Sequence, residues 1–158
     1  MFTLVMLAAL PSQTAKGSAC TMTQATIARE EAGIRKTMAA YNAALNGGKT
    51  AAVLPLYTED GVFMPPYSQS AIGKSAVAAA YDKVFEELQF DVKFTIAELV
   101  VIASNWAYVR TNSAGMTFHR SLGKKAAEAN QELFIFRKGD DGKWRIARYS
   151  FSPTNPPA

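Results

Sequence analysis

The sequence predicts an α+β fold, in which three N-terminal helices pack on a strongly curved antiparallel sheet. Up to about residue 90, apolar residues recur every three or four positions, which is the period of an amphipathic helix. Beyond that point apolar and polar residues alternate in four runs separated by short polar turns, as is typical of antiparallel strands. Because the helices and most of the strands are segregated along the chain, the α+β class is favoured.

The helices account for the first half of the chain. The first is predicted over residues 24–48, where one apolar stripe contains Ile27, Ile34, Met38, Tyr41 and Leu45. It ends at Gly47-Gly48, because glycine adopts the left-handed conformation that closes helices. A short helix over residues 50–57 is distorted by Pro55, which lacks an N–H group. A second long helix is predicted over residues 74–88.

The strands follow in order. A brief strand at residues 62–64 lies among the helices, and four longer strands are predicted over residues 91–103, 106–120, 126–138 and 143–151. Gly115 is expected to kink or bulge the second of these four. A strongly curved sheet wrapped on a long helix forms a cone with one open end, which is a natural ligand cavity.

The length of 158 residues corresponds to one domain with a substantial core. We expect an N-terminal extension at residues 1–22, the domain at 23–153 and a tail at 154–158. The apolar run at residues 1–10 is similar to the central part of an export signal, yet no Lys or Arg precedes it. The expectation is therefore a cytoplasmic protein, with export as the alternative.

Charge and composition exclude several kinds of partner. The net charge is +4, and residues 106–158 contain nine Lys and Arg against four Asp and Glu. These charges lie on alternating strand positions and in turns, which indicates a solvated sheet face and no nucleic-acid partner. No apolar run reaches the roughly 20 residues that span a bilayer, so no membrane partner is expected. One histidine and one cysteine cannot build a nitrogen–sulfur metal site, and no cofactor is predicted.

Glu132 is the main candidate functional residue. Alternation places it on one strand face with Asn130, Phe134 and Phe136. A carboxyl group among aromatic rings lies either at the floor of a cavity or in a structural hydrogen-bond network. Burial would raise its pKa, and the neutral acid could then donate a hydrogen bond to a ligand carbonyl. Arg110 and Arg148 are the expected partners if the group is ionised.

Other residues are expected to line the same pocket. They are mostly aromatic or lie in the middle of predicted strands: Tyr57, Phe63, Tyr67, Tyr81, Phe85, Trp106, Arg110, Asn130, Phe134 and Arg148. For the single aromatic residues, a place in the core is the simpler interpretation, because helix stripes and strand alternation point them inward in any case. For the two arginines, the alternatives are pairing with a carboxylate and a place at a dimer face.

Three segments carry a resemblance to a known family: "AAYNAALNGGKTAAVLPLYTEDGVFMPP", "IGKSAVAAAY" and "EANQELFIFRK…GKWRIARYSFSP". Together they resemble the nuclear-transport-factor-2-like (NTF2-like; SnoaL-like, cystatin-cone) superfamily, and within it most closely the SgcJ/EcaC family of small bacterial proteins. The resemblance runs from about residue 24 to residue 153. It implies a homodimer of cones with a pocket in each subunit, but no single reaction, because this fold hosts isomerases, dehydratases, cyclases and binders.

The ketosteroid isomerases are distant relatives within this resemblance. Tyr41 falls on their oxyanion tyrosine, Glu132 falls on or next to their protonated aspartate, and Pro65 falls on their general base. The resemblance therefore implies two hydrogen-bond donors, Tyr41 and Glu132, without the base. Three functions stay open. The first is binding of a small hydrophobic oxygenated metabolite, polyketide- or steroid-like. The second is an isomerase, cyclase or dehydratase with Glu132 as acid or base, and the third is a structural or interaction module with an unused pocket.

Overall fold

The computed structural model describes residues 22–155. Three helices, α1 (Gln24–Gly47), α2 (Thr50–Val53) and α3 (Lys74–Glu87), are combined with six strands. The strands are β1 (Tyr57–Met64), β2 (Ala71–Ile72), β3 (Leu88–Ala103), β4 (Trp106–His119), β5 (Lys124–Lys138) and β6 (Trp144–Pro153). Most of the expected N-terminal extension and the last three residues of the expected tail lie outside the described residues. None of the helices in this part of the chain is long and apolar enough to cross a membrane.

The helix boundaries follow from local chemistry. The hydroxyl of Thr23 accepts a hydrogen bond from the N–H of Thr26 at 3.2 Å, so Thr23 is the N-cap of α1. The helix ends where Gly48 adopts a positive φ of 62°. The short helix α2 passes at Leu54 into a 3-10 turn that contains Pro55, which explains why the helical segment predicted there is brief.

The sheet is mixed, and its strand order is β2-β1-β6-β5-β4-β3. Strands β3 to β6 form the expected antiparallel meander. The prediction of an antiparallel sheet holds for these four strands but not for β1, which pairs with β6 in parallel. Residue periodicity does not encode the direction of pairing between strands that are distant in sequence.

Gly115 permits a close approach between strands and does not form a bulge. The pairing of β4 with both neighbours continues through it, opposite Val92 and Glu128, so the predicted bulge at Gly115 is wrong. A Cβ atom at this position would lie 2.1 Å from the carbonyl oxygen of Asp91. A glycine is therefore required at this position, because the backbone of β3 occupies the space that a Cβ atom would need.

The helices cover one face of the sheet, which we call the inner face. Along β5 the residues Asn130, Glu132, Phe134 and Phe136 are buried on this face, whereas Leu133 is exposed on the outer one. The inner face and the α1 stripe form a core rich in aromatic rings. This arrangement brings polar residues of β4 and β5 next to the aromatic core.

Glu30 fastens α1 to the sheet. Its side chain is buried, and it accepts a hydrogen bond from the indole N–H of Trp144 at 2.9 Å. The ammonium group of Lys138 lies 2.7 Å from the same carboxylate. These contacts lower the pKa of Glu30, the hydrogen bond from Lys138 being the largest cause.

Candidate functional site

A cavity of about 150 Å³ lies between the helices and the inner face of the sheet. Aromatic side chains form the largest group in its wall: Tyr41, Phe63, Tyr81, Phe90, Phe94, Tyr149 and Phe151. Aliphatic side chains add Leu45, Pro65, Val84, Leu88 and Val92. The polar part of the wall consists of Ser113, Glu128 and Asn130, and we call these three residues the polar wall. The cavity is thus an apolar chamber with polar groups gathered on β4 and β5.

Three tyrosine hydroxyls form a buried chain. The hydroxyl oxygens of Tyr41 and Tyr81 are 2.6 Å apart, and those of Tyr57 and Tyr81 are 3.0 Å apart. Burial raises the pKa of each of these tyrosines well above its ordinary value, so all three hydroxyls are neutral. Tyr41 and Tyr81 line the cavity, whereas Tyr57 lies behind them. A hydroxyl of this tyrosine chain can donate a hydrogen bond to a ligand oxygen.

The polar wall is held together by hydrogen bonds between β4 and β5. The amide nitrogen of Asn130 donates to Oε1 of Glu128 at 3.0 Å and to the hydroxyl of Ser113 at 3.4 Å. The hydroxyl of Thr117 donates to the other oxygen of Glu128. Ser113 and Asn130 are directly opposite in the strand pairing, so the register itself aligns this wall.

Glu132 lies deeper than the polar wall and does not line the cavity. Its side chain is buried, and its Oε2 accepts a hydrogen bond from the hydroxyl of Thr111 at 2.5 Å. Its Oε1 has no hydrogen-bond partner among the described residues. Burial raises the pKa of Glu132, and the negative charge of Glu128 adds to the rise. The hydroxyls of Ser113 and Thr111 act in the opposite direction.

Neither expected arginine compensates Glu132, so that prediction is wrong. Arg110 is exposed on the outer face, where its Nε lies 3.3 Å from Glu98. Arg148 donates to the backbone carbonyl of Asp60 at 3.2 Å. For Arg110 the reason is the alternation of side chains along β4. Its sequence neighbours point to the inner face, and one of them, Thr111, lies opposite Glu132.

The predicted aromatic pocket residues are distributed over three environments. Phe63 lines the cavity and stacks on Tyr81 with ring centroids 4.9 Å apart. Phe85 packs against Tyr81 outside the lining. Phe134 is fully buried beneath the cavity, and its ring stacks on Tyr149 at 4.1 Å.

Two predicted pocket residues lie elsewhere. Tyr67 is fully exposed in the loop after β1 and has a positive φ of 59°. Trp106 lies at the start of β4, where the guanidinium of Arg137 sits 5.7 Å from its ring centre. Neither side chain reaches the cavity. The path of a loop and the position of a strand end relative to the cavity are not encoded in residue periodicity.

Several residues that were not predicted from the sequence also line the cavity, among them Glu128, Ser113 and Tyr149. Glu128 could have been found, because it has the same alternation phase in β5 as Asn130 and Glu132. Pro65, which the resemblance to the ketosteroid isomerases places at their general-base position, lines the cavity and brings no titratable group to it. Within residues 22–155 no group of three or more His, Cys, Asp and Glu side chains could hold a metal ion.

Comparison with known proteins identifies the fold. The profile of the SnoaL-like domain matches residues 38–147. A ketosteroid isomerase-like protein from Erwinia carotovora atroseptica is 38% identical, with a TM-score of 0.77, over 80% of this chain and 98% of that one. No curated protein matches the chain.

Two more distant structures share the fold alone. A hexachlorocyclohexane dehydrochlorinase LinA-type3 from Novosphingobium barchaimii is 9% identical, with a TM-score of 0.75, over 84% of this chain and 92% of that one. An NTF2-like protein with a cystatin-like fold from Novosphingobium aromaticivorans is 20% identical, with a TM-score of 0.63, over 83% and 86%. At these identities the similarity concerns architecture and not chemistry.

Proposed function

The chain belongs to the SnoaL-like domain family of the NTF2-like superfamily, and we propose that it binds a small hydrophobic oxygenated metabolite in its cavity. The observation that carries the proposal is an aromatic cavity with a polar wall on one side and tyrosine hydroxyls on another. Apolar walls supply affinity, and a few fixed polar groups orient the ligand. Among SnoaL-like proteins we place the chain closest to the SgcJ/EcaC family, on the motifs in β5 and β6.

The volume of the cavity limits the size of the ligand that can bind inside it. A cavity of about 150 Å³ accepts a molecule of the size of benzene. One ring of a polyketide-like compound therefore fits inside, whereas a steroid-like compound would leave most of its rings at the mouth. We accordingly propose a ligand that inserts one aromatic or cyclic end, with its oxygen near the tyrosine hydroxyls or the polar wall.

Filling the cavity should abolish this binding. Val84 of α3 lines the cavity, so Val84→Phe places a ring in the ligand volume. We expect wild-type protein to bind 2-phenylethanol with a Kd between about 10 µM and 1 mM, as its few non-hydrogen atoms allow. Val84→Phe should weaken the binding at least tenfold by isothermal titration calorimetry.

Leu122→Phe is the control, because it also adds a phenyl ring, at an exposed residue of the β4–β5 turn away from the cavity. It should leave the Kd within about twofold of the wild-type value. If Val84→Phe folds and binds 2-phenylethanol with unchanged affinity, the ligand binds outside this cavity. No binding of 2-phenylethanol to wild-type protein would refute the proposal for one-ring oxygenated ligands.

We further propose that the protein is a homodimer of cones that associate through the outer face of the sheet. Val100, Ile102 and Leu133 are exposed there, and Leu133 lies near the middle of β5. Apolar side chains grouped on one sheet face favour association. The sheet and helices would then form a cone in each subunit, with the cavity at its open end.

Light scattering should give a mass of about 34 kDa at micromolar concentration, twice the chain mass of 17.1 kDa. Leu133→Asp buries a charge in the proposed interface and should shift the protein toward the monomer. Leu122→Asp, at an exposed residue of the β4–β5 turn, should leave the mass unchanged. A wild-type mass near 17 kDa would rule out this dimer.

Catalysis is the second candidate function, and the buried Glu132 favours it. The carboxyl group has a raised pKa, which suits an acid or base in an isomerase, cyclase or dehydratase. In such an enzyme Tyr41 would hold the developing oxyanion. Because Glu132 does not line the cavity, it would exchange a proton with the ligand only through a group of the cavity wall. The 38% identical relative is described as ketosteroid isomerase-like, which supports the same candidate.

A further inference from the structure

We propose that the ligand of this cavity carries a protonated amine and that Glu128 is its counter-ion. The proposal rests on the function proposed above, in which the cavity binds a one-ring ligand, and it adds the charge of that ligand. The protonated amine of the ligand would contact the polar wall, in addition to any contact that the ligand makes with the tyrosine hydroxyls.

The charge distribution around the cavity carries this inference. Glu128 is the one ionisable carboxylate in the lining, and no Lys, Arg or His of the described residues lines the cavity. Its two oxygens accept hydrogen bonds from Asn130 and Thr117, which are neutral donors. The side chain is half-buried, so water compensates its charge only partly. A cation beside it would supply the missing opposite charge.

The aromatic walls act in the same direction. Phe63, Tyr149 and Phe151 stack on one another along the cavity, with ring centroids 5.5 to 6.3 Å apart. Ring faces carry negative electrostatic potential and attract organic cations. An anionic ligand would meet these faces and the carboxylate of Glu128 without a compensating positive group from the described lining.

A second acceptor lies behind the polar wall. Oε1 of Glu132 is buried and has no hydrogen-bond partner among the described residues, while its Oε2 is held by Thr111. Ser113, which lines the cavity, lies two residues from Thr111 on the same face of β4, and Thr111 is opposite Glu132. Acceptors therefore outnumber donors on this side of the cavity, which suits a ligand that brings donors of its own.

Three probes with the same ring and similar length separate the ligand charges: phenethylamine, 2-phenylethanol and 3-phenylpropionate. Calorimetric titration of the full chain at pH 7 should show phenethylamine binding about tenfold more tightly than 2-phenylethanol, as one charge-assisted contact predicts. Binding of 3-phenylpropionate should be at least tenfold weaker than that of the alcohol. Glu128→Gln should bring the amine within about threefold of the alcohol, and Glu128→Asp should restore the preference.

Glu86→Gln is the control variant, since it removes an exposed carboxylate from α3 outside the lining and should keep the wild-type preference. If wild-type protein binds the alcohol as tightly as the amine, the counter-ion role is refuted and the binding function stands. If none of the three probes binds, the proposed one-ring binding function itself is refuted. Should Glu128→Gln not fold, Asn130→Asp must increase the preference for the amine, and an unchanged preference contradicts the proposal.

Discussion

Gly115→Ala should lower the free energy of unfolding by roughly 4 kcal/mol or more, enough to unfold many domains. The added Cβ atom would lie 2.1 Å from the carbonyl oxygen of Asp91 and 2.7 Å from Cα of Val92. Both atoms belong to the backbone of β3 and cannot rotate away, so β3 and β4 must separate. Urea denaturation followed by circular dichroism measures the decrease in the free energy of unfolding. Failure of the variant to express in folded form would also be consistent with a decrease of this size.

Gly47→Ala makes the same chemical change where there is room. Gly47 is the last residue of α1, and beyond the adjoining helix backbone no atom lies within 4 Å of the place a Cβ atom would occupy. We expect its free energy of unfolding to change by less than about 1 kcal/mol, with a gain from the better helix propensity of alanine. Equal effects of the two substitutions would show that β3 and β4 do not approach each other as described.

Glu132→Gln should stabilise the protein at neutral pH by about 1–3 kcal/mol, because it removes the desolvation cost of a buried negative charge. Burial raises the pKa of Glu132 in the folded protein above the ordinary value of 4.5, so the folded protein favours the protonated form more than the unfolded chain does. The stability associated with protonation is fully present below about pH 4.5 and is lost as the pH rises through the folded pKa. The amide side chain of the variant is neutral at every pH.

The measurement is the difference in unfolding free energy between variant and wild type at several pH values. That difference should be small at pH 4 and should grow toward pH 7, whereas carboxylates with lowered pKa, such as Glu30, affect both proteins equally. Glu86→Gln, at an exposed position, should show no such trend. A difference that is constant over pH 4–7 would mean that Glu132 has the same pKa in the folded and unfolded states.

Elements with a repetitive residue pattern could be predicted from the sequence. Ile34, Met38 and Tyr41 lie on one side of α1 because 3.6 residues complete a helical turn, and the structure buries all three. Glu132 and Phe134 share a face of β5 because successive strand residues point to opposite sides. The meander followed from four such strands joined by short turns, and the SnoaL-like family followed from the motifs these elements contain.

Which elements and faces meet depends on packing between distant parts of the chain. Both alternating sets of β4 contain apolar residues, so only packing against the helices could place Arg110 outside and Thr111 beside Glu132. The parallel pairing of β1 with β6 and the approach of β3 at Gly115 join residues that are distant in sequence, and no local period records such contacts. For the same reason Glu128, and not Glu132, is the carboxylate that lines the cavity.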